Sequence, residues 1–159
     1  MKSAMTVFLG IMMMLTSCGI ALGFDIHALD RVAVQMSKSE VLSILGKPDE
    51  VDELGAGLKA EVYQVNDMQP LVGTGCIYGD DERLAGQSFI FRGEMARQTA
   101  QRLQEDGFQL TEERGETFRL LGKDDDTGKA LVVHILQSPG LTIVMTFDKD
   151  FYDRRVNAK

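Results

Sequence analysis

TFRLLGKDDDTGKALVVHILQSPGLTIVMTFD, residues 117–148, decides the fold. Three apolar-rich runs, Thr117 to Lys123, Lys129 to Gln137 and Leu141 to Asp148, have strand length and are separated by turn chemistry. Asp124-Asp125-Asp126-Thr127-Gly128 supplies one hairpin turn. Ser138-Pro139-Gly140 supplies a second, with Pro and Gly where each suits the backbone sterically. Ala130 to Leu136 is apolar on both faces apart from His134, the pattern of a central strand. The stretch therefore predicts an antiparallel meander.

Upstream, residues 94–106 read as a helix with Met95, Ala96, Ala100 and Leu103 on one side and Arg97, Gln101, Gln104 and Glu105 on the other, stopped by Gly107. Gln87 to Arg92 reads as a strand through Phe89 and Phe91, and Phe108 to Glu112 as a further short one. Residues 87–155 thus form a β-α-β-β-β module. Residues 70–86 are rich in glycine and acid. Within them Leu71 to Tyr78 suits either a short strand or an ordered loop, and the segment is assigned to a connecting loop.

The first half turns on Ser37 and Glu40, spaced as a capping box in which each side chain satisfies a backbone donor of the other. Val41, Leu42, Ile44 and Leu45 give the short helix its apolar face. Gly46 then sits where a left-handed cap is needed, and Pro48 prevents continuation. Ile26 to Val34 reads as another helix or an irregular turn, Asp49 to Glu53 as an acidic loop, and Leu58 to Val65 as a strand. The expected class is α+β, a two-layer arrangement of helices packed on an antiparallel meander. The modules at 24–69 and 87–155 are expected to share one core.

Met36-Ser37-Lys38-Ser39-Glu40-Val41-Leu42-Ser43-Ile44-Leu45-Gly46-Lys47-Pro48-Asp49 resembles the signature of the SmpA/OmlA (BamE-like) lipoprotein family. A methionine, a capped helix ending in Leu-Gly-x-Pro and a later aromatic strand recur there, and the likeness covers roughly residues 24–66. It implies a helical layer on an antiparallel sheet, a resemblance that extends to β-lactamase-inhibitor-like modules, which bind proteins. It also implies an accessory or scaffold role in the envelope. The chain departs from the pattern at Gln35, where the family has glycine before the methionine, and at Tyr63, which stands alone where the family often has Trp-Tyr. Beyond residue 70 the chain has no clear counterpart of the family's assembly factor, so the resemblance implies an envelope location but not a specific part in outer-membrane β-barrel assembly.

The N-terminus supplies an address. Lys2 precedes an uncharged apolar run over residues 4–16, a signal-peptide pattern. Leu15-Thr16-Ser17-Cys18 follows and resembles a lipobox, so residues 1–17 are expected to be removed, Cys18 to be acylated, and residues 18–23 to form a tether. Gly19 in place of aspartate favours the outer membrane, with the domain facing the periplasm. Two alternatives stand beside this: cleavage after Ala21-Leu22-Gly23, giving a soluble periplasmic protein, and retention of Ser3 to Phe24 as one spanning helix.

The chain of 159 residues carries a formal charge of −7, and loss of the leader with Lys2 makes it more acidic still. Nucleic acid is excluded as a partner on that balance. Membrane attachment would have to come from a lipid or an apolar anchor at the N-terminus rather than from basic patches. Cys18 and Cys76 are the only cysteines. With Cys18 acylated, Cys76 reads as a buried apolar residue.

Catalytic machinery is sparse. The glycines at 73, 75 and 79 lack a following Lys-Ser/Thr or dinucleotide fingerprint. Asp124 to Asp126 lacks the last glutamate of an EF-hand loop and reads as a solvated turn. Asp80, Asp81 and Glu82 read as a charged loop. His27 and His134 have no partner at zinc-ligand spacing, and a Cys76–His134 dyad has no local support. No cofactor, metal or catalytic residue is therefore expected. At the C-terminus Phe151, Tyr152, Arg154 and Arg155 are candidates for an interaction surface, with packing of Phe147 and Phe151 on the core the preferred reading. The reading is a non-enzymatic envelope lipoprotein that binds or scaffolds another envelope protein. The alternative is a periplasmic inhibitor or small-ligand binding module.

Overall fold

The computed structural model describes residues 26–55, 58–66, 69–125 and 127–157. It is an α+β fold built on one open, eight-stranded antiparallel sheet. A 3-10 turn, Ile26–Arg31, precedes helix α1, Lys38–Leu45. Four strands follow: β1 Glu50–Gly55, β2 Leu58–Gln64, β3 Leu71–Tyr78 and β4 Leu84–Arg92. Helix α2, Ala96–Glu105, then leads into β5 Gln109–Arg114, β6 Thr117–Lys123, β7 Ala130–Ser138 and β8 Leu141–Asp148. The chain closes with a short helix α3, Lys149–Phe151, continued by a π turn, Tyr152–Val156. Across the sheet the strands run β1-β2-β3-β4-β8-β7-β6-β5.

The 117–148 stretch forms the strands its pattern predicts. Their register is set by full pairing of β6 with β7 and of β7 with β8. In the first turn the Asp124 carboxylate accepts from the Thr127 amide at 2.8 Å and the Thr127 hydroxyl at 2.9 Å. Asp126 lies outside the described residues.

Order and length reveal a duplication. A helix followed by four antiparallel strands occurs twice, and β1/β5, β2/β6 and β3/β7 each begin 59 residues apart. The two units join through their last strands, β4 and β8, which pair from Gly86↔Phe147 to Arg92↔Leu141. Gly86 is required at this seam, because a Cβ there would lie 2.7 Å from Phe147 Cδ1 and 2.9 Å from the Thr146 carbonyl oxygen. Four strands are enough to bury one helix face, and joining two such units removes one open edge from each.

Two expectations change. Residues 71–78 are not a connecting loop but the interior strand β3. Its glycines fit a crowded sheet: a Cβ on Gly75 would lie 2.5 Å from Ser88 Oγ, and Cys76 and Ile77 are wholly buried. Likewise, the acidic segment expected as a loop forms β1, which tolerates its charges because an edge strand keeps them in solvent.

Alternation and register assign the faces. Helix α2 lays Ala96, Ala100 and Leu103 on Phe118, Leu120, Val133, Ile135 and Val144, in a cluster that also takes in Leu29, Leu71 and Phe89. On the same face Val32 and the α1 residue Val41 cover Tyr63, Cys76 and Leu84. The opposite face carries Ala60, Val62, Ile77, Val132 and Phe147, against which α3 and its π turn pack Phe151 and Tyr152. Strand β2 is therefore buried on both faces.

Just before α1, Gln35 has φ +78°, a left-handed conformation that costs a residue with a Cβ. Gln35→Gly is expected to relieve that cost, offset in part by the greater freedom of an unfolded glycine, for a net gain of about 0.5 to 1 kcal/mol. Calorimetry should register a thermal midpoint higher by about 2 to 4 °C. An unchanged or lower midpoint would mean that contacts of the Gln35 side chain outweigh the backbone strain.

Candidate functional site

The family-like motif assembles as a local structure. Ser37 Oγ accepts from the Glu40 amide at 3.3 Å, and Glu40 Oε2 accepts from the Ser37 amide at 2.7 Å and its hydroxyl at 2.6 Å. These bonds favour the carboxylate and hold the Glu40 pKa below its ordinary value. The Gly46 amide donates to the Leu42 carbonyl at 2.9 Å with φ +80°. Tyr63 donates to the Gly46 carbonyl at 3.3 Å, and Asp49, just past Pro48, takes the Gln64 amide on its carboxylate at 2.7 Å. Ser37, Glu40, Gly46 and Pro48 thus start and stop a helix and deliver its end onto β2.

Beneath α1 lies a group of polar side chains that sequence reasoning did not pick out. Glu61, Cys76, Gln87 and Thr146 are successive cross-strand neighbours on β2, β3, β4 and β8, on the helix-covered face. Glu61 and Gln87 are only 8% and 9% exposed. Gln87 Nε2 and Thr146 Oγ1 are buried without a hydrogen-bond partner among the described residues, and Glu61 Oε2 and the nearby Tyr78 hydroxyl make no hydrogen bond of ordinary geometry there, although they lie close enough for Glu61 to raise the Tyr78 pKa. At the margin, Lys38 Nζ of α1 meets Glu61 Oε1 at 2.5 Å and lies 5.4 Å from the Tyr78 ring centroid. Burial, then the Glu61 charge, pushes the Cys76 thiol up to about 12, so it stays protonated and weakly nucleophilic at neutral pH. Burial likewise raises Tyr63 and Tyr78. The available signal was Glu61 itself, a charge in phase with Tyr63 within the otherwise apolar run Ala60 to Tyr63.

On the opposite face the C-terminal residues divide. Phe151 and Tyr152 are buried against the sheet, their rings covering Phe147 and Val132: for Phe151 this is the core packing preferred from the sequence, and for Tyr152 it corrects the placement on an exposed surface. Arg154 and Arg155 are exposed, with Arg155 NH1 on Asp80 Oδ2 at 2.5 Å and Arg154 Nε on the Asp150 carbonyl at 3.2 Å. Together with Gln35, Arg83 and Phe151 they line an open groove of about 360 Å³.

Tyr152 also meets His134, hydroxyl to Nε2, at 2.8 Å, and a hydrogen bond with Tyr152 helps hold Arg119 charged. Burial, and then the Arg119 charge, lowers the His134 pKa, while the Glu112 carboxylate opposes the shift. The unfolded chain takes up this proton first as pH falls below about 6.5, so His134 makes the fold lose stability toward acid. Thermal midpoints measured from about pH 7.5 to about pH 5.5 should fall in the natural chain and fall less in His134→Gln. Equal slopes would assign the acid sensitivity to other groups.

The remaining sequence candidates stay apart. Leu15, Thr16, Ser17 and Cys18 lie outside the described residues. Asp81 turns back to accept from the Arg83 amide at 3.2 Å, and His27 faces Asp30 at 3.7 Å. Among the described residues no group of three or more His, Cys, Asp or Glu side chains is placed to hold a metal ion, and no helix is long and apolar enough to cross a membrane.

Compared with known proteins, the chain matches no family model and no curated protein. A solved structure is similar in outline: the 1.5 Å crystal structure of an extracellular protein containing an SCP domain from Bacillus anthracis str. Ames, with a TM-score of 0.45 and 10% sequence identity. The match covers 91% of this chain and 52% of that one, so the chain spans about half the length of its structural neighbour.

Proposed function

We propose that this chain is a non-enzymatic envelope lipoprotein, anchored to the outer membrane through acylated Cys18 and facing the periplasm, that binds or scaffolds another envelope protein. Within this reading it is related to the SmpA/OmlA (BamE-like) lipoproteins, with the two-layer helix-on-sheet core of that group and of β-lactamase-inhibitor-like modules, and α3 as an added cover on the far face. The observation that carries the reading is the geometry around Met36 to Asp49. The capped helix ends on a Leu-Gly-x-Pro turn tied to β2, and Gln35 takes φ +78° at the position where the family has glycine. A sequence likeness that coincides with a backbone requirement for glycine is less readily generic. The thiol of Cys76, buried and held protonated, favours a structural over a nucleophilic role.

The test is the intact mass of membrane-extracted protein, expressed with its own leader in a Gram-negative host, beside Cys18→Ser. The reading expects a chain beginning at Cys18 with added acyl mass, loss of that mass and of membrane retention in the variant, and crosslinking to a defined envelope protein. A soluble, unmodified chain beginning at Phe24 would overturn the anchor and bring the periplasmic inhibitor or ligand-binding module forward.

A further inference from the structure

The two open edges of the sheet, β1 and β5, are equivalent by position in the duplicated units and unlike in surface. Strand β5 has its side chains engaged within the chain. Leu110 packs into the core cluster, Glu112 pairs with Arg114 and Arg119 at 2.5 Å each, Glu113 pairs with Arg97 at 3.0 Å, and the Thr111 hydroxyl donates to the Arg119 carbonyl. Among the described residues nothing engages strand β1 in the same way. Val51 is 55% exposed and Leu54 42%, and these are the exposed large hydrophobic residues among those described. Glu50 and Asp52 are exposed and take part in no ion pair among the described residues, while Glu53 reaches Lys59 only at 3.7 Å.

We propose that β1 is an acceptor edge for an extended segment of a partner in which Lys or Arg alternates with aliphatic residues, added as a ninth strand. The inference rests on the protein-binding reading and deepens it by naming the surface and the partner's chemistry. An edge strand presents unpaired amides and carbonyls that an incoming strand satisfies, and alternate side chains supply specificity. Glu50 and Asp52 lie on one face of β1, in register with Val62 and Ala60, and Val51 on the other, in register with Glu61, followed there by Glu53, which faces Lys59 of its own sheet. A segment with basic residues toward the first face and aliphatic ones toward Val51 complements both. A second copy pairing through the same edge would bring acidic side chains opposite one another, which is destabilising.

The test uses the purified full chain in detergent and a capped peptide of four Lys-Val repeats. A Lys-Pro peptide of equal charge that cannot pair as a strand serves as control. Amide exchange followed by mass spectrometry should show the Lys-Val peptide slowing exchange over residues 50–55 and not over 109–114, with no effect of Lys-Pro. Reversing the charges with Glu50→Lys and Asp52→Lys should weaken binding at least about tenfold and shift preference to a Glu-Val peptide. If that variant fails to fold, Val51→Ser with Leu54→Ser should weaken Lys-Val binding with the acids intact. Absence of protection at β1, equal protection at β5, equal binding of Lys-Pro, or self-association through β1 without peptide each overturns the proposal. None of these outcomes depends on Cys18, so failure of the edge and failure of the lipid anchor are read separately.

Discussion

Leu103→Ala is expected to destabilise the fold by about 3 kcal/mol, measured as a lower urea midpoint with an unchanged slope. Leu103 is wholly buried at the end of α2 and belongs to the cluster that joins Phe118, Leu120, Val133 and Ile135 to Leu29 and Phe89 from the first unit. Truncation loses the transfer free energy of the removed carbons and leaves a cavity among strands held in fixed register, which collapses poorly. A loss below about 1 kcal/mol would mean that α2 is not seated on the sheet as described.

Glu61→Leu is expected to do the reverse and stabilise by about 1 to 2 kcal/mol. The equivalent position of the second unit, 59 residues on, is Leu120, wholly buried under α2. Replacing Glu61 removes a buried carboxylate oxygen that makes no hydrogen bond of ordinary geometry, and Lys38 is free to reach solvent because its side chain is already 38% exposed. Lys38→Met should instead destabilise by about 2 kcal/mol, less than for a fully enclosed pair, since the ion pair is partly screened. Opposite signs for the two partners of one ion pair are the diagnostic result. Destabilisation by both would mean that the pair itself holds α1 down. If Glu61→Leu stabilises while weakening a partner interaction, the polar row is retained for function at a cost in stability.

The duplication explains why these contrasts are informative. Position types persist between the units but identities do not: Glu61 answers to Leu120 and Cys76 to Ile135. No self-similarity is therefore visible along the chain, although strand starts repeat to the residue over three strands. Both helices must bury an apolar face on a four-stranded surface, and many side chains meet that requirement.

What could be read along the chain depended on interactions a few residues long. The Ser37–Glu40 box, the Gly46 stop, the Asp124 to Gly128 and Ser138 to Gly140 turns, and the apolar strands between them form from neighbours in sequence, and each was legible. The helix of residues 94–106 showed itself by its period, with Leu103 correctly on the buried side. Only tertiary structure decided the rest. Glycine-rich Leu71 to Tyr78 became a strand because β2 and β4 pair with it on both sides, and Gly75 suits it there because a Cβ would meet Ser88 Oγ. Acidic Glu50 to Gly55 became one because the sheet ends there. Phe151 and Tyr152 went inside because the far face of the sheet was open to them, whereas Val51 and Leu54 stayed outside because nothing in the described chain covers β1. Strand register between distant segments sets these outcomes, as it brings Glu61, Cys76, Gln87 and Thr146 into one row, and a linear pattern specifies alternation within a strand but not which strand lies beside it.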